Sequence, residues 1–133
     1  MKVVALDYGS ARTGVAVSDP TGTLARPIGV IERVGTPSGL ERLVELITSE
    51  GAERVVVGMP LTLSGGRGEQ AVETEAFLDT LRRAVDVPVE GFDERFTTDL
   101  AEQDPGSRNL PRDARAAAHL LTSYLEWSNR SAE

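Results

Sequence analysis

The chain has 133 residues, a net charge of −7, no cysteine and a single histidine, His119. Disulfides, thiolate metal centres and cysteine nucleophiles are thereby excluded, and a histidine-rich zinc site or a Ser-His triad has too little to build from. The length suits one domain, residues 1–133, with its own core, and the acidity argues against a protein that coats nucleic acid non-specifically.

An enzyme acting on nucleic acid stays open, because clustered carboxylates are neutralised by the cations they bind. Lys2 is the only lysine, so nearly every cation is an arginine, the residue suited to bidentate phosphate contacts. No apolar run approaches the roughly 20 residues of a bilayer span. Met1-Lys2 leads into a run carrying Asp7 and not into a signal peptide, so a soluble, cytoplasmic protein is expected.

The stretch Val3–Asp19, VVALDYGSARTGVAVSD, reads as a strand, a tight turn and an antiparallel return strand. Asp7 stands where the first strand ends. Gly9 and Gly14 let the backbone turn sharply and let a bulky anion come close. Ordinary hairpin chemistry explains Asp-Tyr-Gly equally well. Leu24–Arg33 is a third strand, with Pro27 marking an edge or a bulge.

A helix is expected to start at Ser38, where Ser38-x-x-Glu41 forms a capping box. Leu40, Leu43, Val44 and Ile47 fall on one face, and Gly51 stands just past the end. Arg54–Leu61 is a short continuous apolar run, as in a strand buried on both faces. It opens into Leu63–Gly68, a glycine-rich loop carrying Arg67. The helix after it, about Glu69 to Val85, offers Val72, Ala76, Phe77 and Leu81 as its buried side.

Val87–Phe92 is another buried strand, ending in Asp93-Glu94-Arg95; Thr97 or Thr98 then caps a short helix through Gln103. Asp104–Leu110 consists of turn formers. The last helix begins at Pro111 and runs to about Trp127, leaving Ser128–Glu133 as a frayed tail. Three antiparallel strands followed by alternating helix and strand make an α/β domain with a mixed five-stranded sheet.

Three acidic positions carry possible chemistry: Asp7, the Asp93-Glu94 pair, and Asp113. The first two follow strand runs, and strand ends are where open α/β sheets bind ligands. Asp113 shares a stripe with Ala117, Leu120 and Tyr124, so it should point toward the sheet from the helix's first turn. There it either complements the helix dipole or serves as a ligand; an inward acid needs a positive partner. Converging carboxylates without His or Cys describe a hard-cation site for Mg²⁺ or Mn²⁺. Two such ions can drive phosphodiester hydrolysis.

Arg95 is placed either to contact substrate phosphate or to pair with its acidic neighbours. Gly9, Arg12, Arg67, Thr97 and Arg112 complete the candidates for holding substrate. His119, Tyr124 and Trp127 read as packing, and Ser64–Gly68 as a surface loop.

At this point the residues match a family. LDYGSARTGVAVSD, VVVGMPLTLSGGRG, FDERFTT and DARAAAHLLTSYLE resemble, in order and over nearly the whole chain, the YqgF/RuvX family of small nucleases in the ribonuclease H-like superfamily. The opening Asp-x-Gly is shared with actin-like kinases; Asp-Glu-Arg-x-Thr-Thr is the specific element. The resemblance implies a ribonuclease H-like fold and metal-dependent phosphodiester cleavage, with the family's acids on Asp7, Glu94 and Asp113. Asp93 stands beside Glu94 as the other candidate ligand. Substrates implied are the 5′ end of pre-16S rRNA or a four-way DNA junction. Gln103–Arg112 is shorter than the family's segment and lacks its lysine-rich run, for which Arg108, Arg112 and Arg115 are the available substitutes. The rival readings are an actin-like phosphotransferase, which needs a second domain, and a non-catalytic nucleic-acid-binding module.

Overall fold

The computed structural model describes residues 1–59, 68–93 and 111–131. Its elements run β1 (Val3–Asp7), β2 (Arg12–Ser18), β3 (Ala25–Glu32), α1 (Pro37–Ser49), β4 (Arg54–Met59), α2 (Glu69–Ala84), β5 (Val89–Asp93) and α3 (Arg112–Ser131). They form a five-stranded sheet in the order β3-β2-β1-β4-β5. The first three strands are antiparallel, and β4 and β5 join parallel to β1. This is the mixed sheet expected from the alternation of elements.

The pleat divides the core in two. Val4, Leu6, Val15, Val17, Val55 and Val57 pack with Leu43 and Ile47 of α1 and Phe77, Leu78 and Leu81 of α2. On the other face, Val3, Ala5, Ala16, Val56 and Phe92 pack with Ala117, Leu120, Leu121, Tyr124 and Leu125 of α3. Residues Val3 to Leu6 and Val55 to Val57 are at most 1 % exposed, which is why both strands read as unbroken apolar runs. Every other residue of β1 therefore faces α3, and the series Val3, Ala5 continues to Asp7.

Pro27 sits on an edge strand, and the β2–β3 register shifts between Val15 and Ala16. Edge and bulge are both present. Gly51 takes the left-handed conformation expected of it (φ 66°). Other expectations need correction. Helix α1 is capped by Thr36, whose hydroxyl accepts from the Gly39 amide, with Pro37 in the first turn; the Ser38 box is not the start. Thr-Pro is the stronger signal because proline is preset for that position.

Val72 and Ala76 lie on the solvent side of α2, and Ala71, Thr74, Phe77, Leu78 and Leu81 form its buried side. Strand β5 is only partly buried, with Gly91 exposed and Glu90 and Asp93 half-buried, as suits an edge strand. Helix α3 continues past Trp127 to Ser131, with Arg130 in its last turn, where a cation suits the dipole. The expected loop at 63–67, the short helix near Thr97 and the turn at 104–110 lie outside the described residues. Among the described residues no helix is long and apolar enough to cross a membrane.

Candidate active site at one rim of the sheet

Strands β1, β4 and β5 all end at the same rim, where β2 begins and α3 takes its first turn. Asp7 closes β1 at the centre of that rim and is the register partner of Gly14 in β2. Directly opposed residues on antiparallel strands point to the same face, so Asp7 and Gly14 both look toward α3. The first turn of α3 rests on Gly14 itself. A methyl group there would lie 1.8 Å from the Asp113 carbonyl oxygen and 2.8 Å from the Ala114 amide nitrogen. Only glycine permits this approach, and it sets the Asp113 backbone within about one strand spacing, ~5 Å, of the Asp7 strand.

Asp113 is half-buried, and its partner is Arg12, the first residue of β2. Arg12 Nε lies 3.5 Å from Asp113 Oδ2, with the two side chains 63 % and 33 % exposed. This supplies the positive group that an inward acid requires, although an ion pair this exposed contributes at most about 1 kcal/mol.

The turn between the strands is pinned from below. The fully buried Thr13 hydroxyl donates to the Gly9 carbonyl at 3.3 Å and accepts from the Gly9 amide at 3.4 Å. A side chain on Gly9 would come within 2.4 Å of the Arg12 carbonyl oxygen, so close approach and not a positive φ is what demands glycine. Tyr8, next to Asp7, turns to the opposite face. Its ring stacks on Phe77 with centroids 4.6 Å apart, and its hydroxyl donates to Glu73 at 2.9 Å. Burial, then the Glu73 carboxylate, pushes the Tyr8 phenol up to about 12.

Asp93 belongs elsewhere. It shares its face of β5 with Val89 and Gly91, and Gly91 abuts Met59 and Leu78 on the α2 side. It therefore sits across the sheet from Asp7 and Asp113. Arg112, exposed, opens α3 beside Asp113. Glu94, Arg95, Thr97 and Arg67 lie outside the described residues. Among the described residues no three acidic or histidine side chains form a group able to hold a metal. The two acids at the rim offer only hard oxygen donors. That chemistry fits Mg²⁺ or Mn²⁺ and not zinc.

Sequence reading missed Thr13 and Tyr8. A hydroxyl inside an otherwise apolar strand was the available sign of the first. At the opposite end of the sheet, Arg54 Nη1 reaches the Tyr124 hydroxyl at 2.9 Å and Glu90 at 3.3 Å, and Tyr124 also donates to Glu90. This network anchors α3 far from the acids, and Tyr124 packs edge-on to Phe92. The hollow between α1 and α2 beside Ile47 and Val85, and the one beside Leu24, also lie at that opposite end.

A family model described as "RuvX: Holliday junction resolvase" matches residues 1–127. A protein of Desulforudis audaxviator named "Putative pre-16S rRNA nuclease" is 42 % identical over 132 residues, covering 94 % of each chain. Among solved structures, Thermus thermophilus RuvC bound to a Holliday junction superposes with a TM-score of 0.67 at 15 % identity, over 98 % of this chain and 96 % of that one. The fowlpox virus resolvase with its junction DNA gives 0.60 at 13 % identity, over 96 % and 99 %. At such identities these two likenesses speak to the fold, which is the ribonuclease H-like one.

Proposed function

Since the chain belongs to the RuvX family, we propose that it is a cytoplasmic nuclease hydrolysing phosphodiester bonds of structured RNA, at the 5′ end of the 16S rRNA precursor. Asp7, Glu94 and Asp113 would hold two divalent cations. The observation that carries this is the seat of Asp113 on Gly14, opposite Asp7, which brings acids from the two ends of the chain to one rim. Glu94 is preferred to Asp93 as the third ligand because Asp93 shares the far face with Gly91.

The cations, when bound, supply positive charge to the phosphate oxygens and lower the pKa of a water. The protein's part is placement. Asp7 is held at the end of a strand buried on both faces, Asp113 is held by a helix seated on bare backbone, and Thr13 fixes the turn between Asp7 and Arg12. Rigid elements of this kind keep a constellation within the tolerance that chemistry demands. Arg12, Arg112, Gly9, Arg67, Arg95 and Thr97 are assigned to the substrate.

A second reading, resolution of a four-way DNA junction, draws on the description of the family. The test is cleavage of an end-labelled pre-16S leader and a synthetic junction side by side, each with Mg²⁺ and with Mn²⁺. Cleavage of the leader with the junction intact supports the first reading; paired symmetric cuts in the junction support the second. Asp7→Asn should abolish cleavage of either substrate while leaving thermal unfolding similar or improved, since it relieves repulsion among the acids. Normal cutting by Asp7→Asn would end the metal mechanism.

A further inference from the structure

One backbone outlier lies close to the acidic rim. Arg33, just past β3, has φ 51°, and among the described residues it is the sole non-glycine with a positive φ. Only a few per cent of non-glycine residues adopt this conformation, with Asn and Asp favoured over longer side chains. The surroundings enforce it. The Arg33 amide donates to the Ala11 carbonyl at 3.0 Å, and the Arg33 carbonyl accepts from the Thr36 amide at 3.0 Å and the Thr36 hydroxyl at 2.7 Å. The same carbonyl is wedged against Gly39, where a methyl would come within 1.9 Å of it.

The turn therefore requires a left-handed residue, and glycine would fill the place without strain. The sequence instead carries an arginine whose side chain is exposed. The Ala11–Arg33 bond puts that arginine one strand from Arg12, which reaches Asp113. Along the rim the backbone thus runs from Asp7 in β1 through Arg12 in β2 to Arg33 past β3, two strand spacings or roughly 10 Å. Glu32, the register partner of Arg12, is exposed beside them, but Arg12 turns to Asp113 instead.

We propose that Arg33 is a substrate-binding residue, contacting a backbone phosphate that flanks the scissile one on the β3 side of the site. Acids that bind cations hold the phosphate being cut, whereas the phosphates next to it need direct cationic partners. In a chain of net charge −7, guanidinium groups beside the acids are also what steers a polyanion to the rim. The proposal rests on the nuclease reading and adds to it the side on which the strand continues.

The experiment measures binding of the full chain to a labelled RNA stem and to a DNA junction, without added divalent cation, across a salt series. It compares wild type with Arg33→Gly, Arg33→Lys and Arg26→Ala. Arg26 lies on the same strand at its other end and removes the same charge. Arg33→Gly should raise Kd about tenfold and flatten the log–log salt slope by about one, while its unfolding midpoint stays equal or rises as the strain is removed. Arg33→Lys should keep most of the slope, and Arg26→Ala should leave Kd and slope as in wild type.

Unchanged Kd and slope for Arg33→Gly in a stabilised protein overturns the proposal. If Arg26→Ala weakens binding as much, net charge is responsible and the proposal falls. In both cases a wild type that cleaves, and an Asp7→Asn that does not, keeps the nuclease reading intact. A wild type that neither binds nor cleaves either substrate overturns both.

Discussion

A tyrosine beside Asp7 gives the fold an alkaline limit. The Tyr8 phenol is pushed up to about 12 by burial and by Glu73, against about 10 in an unfolded chain. Its folded value is the higher one, so its contribution to stability is complete below pH 10 and is lost between about 10 and 12. Tyr8→Phe should flatten the fall in unfolding free energy across that window, measured by denaturant titration at pH 9, 10, 11 and 12. An equally steep fall in the variant would remove Tyr8 as the cause. At this scale the sequence was legible where a residue type has few uses. Asp113 on an apolar stripe was legible as an inward acid needing a positive partner, read as the helix dipole or a metal; its ion pair with Arg12 was not foreseen. Thr13 was illegible because a threonine in a strand has ordinary reasons to be there; only its contacts with Gly9 distinguish it.

Elements carry the next level of constraint, and α3 on β2 is the contact most exposed to a single change. Gly14→Ala would place a methyl against the Asp113 carbonyl and the Ala114 amide, both backbone groups that move only with the helix. Overpacking of this kind costs about 1–3 kcal/mol, and a shift near 1 Å at a reacting centre lowers rate by about a hundredfold. The expected outcome is a lower unfolding midpoint together with a loss of cleavage far beyond what the unfolded fraction explains. Cleavage at wild-type rate would show that the seat of the helix does not position Asp113.

The stripe of α3 could be read in advance because Ala117, Leu120 and Tyr124 leave one face only. Helix α2 could not be read so simply. It offers two interleaved stripes, and the buried one contains Thr74, whose hydroxyl returns to the Gln70 carbonyl. A polar residue satisfied within its own helix looks exposed in sequence and is buried in fact.

For the whole molecule, folding and cation binding should be one linked equilibrium. Ions that bind the gathered acids of the folded chain, and not the dispersed acids of the unfolded one, stabilise it by ~2.7 kcal/mol per site at a hundredfold excess over Kd. Calorimetry with and without Mn²⁺ should therefore show a concentration-dependent rise in Tm that is lost in Asp7→Asn. An equal rise in both proteins would mean that the ions bind elsewhere. The mixed sheet with its first three strands antiparallel was legible from alternating runs and turns, but its strand order was not. The seating of the last helix on Gly14 joins residues about a hundred positions apart in sequence, and no local pattern encodes that. The sequence left Asp93 and Glu94 as alternatives; the pleat of β5 places Asp93 with Gly91 on the α2 side, and Glu94 lies outside the described residues.

Strands β4 and β5 both finish at the acidic rim, so positions 60–67 and 94–110 depart from anchored backbone, and α2 and α3 receive them. Chimaeras that exchange positions 60–67 and 95–110 with those of a relative, keeping Asp7, Glu94 and Asp113, are therefore the natural way to ask whether these two connectors carry substrate choice.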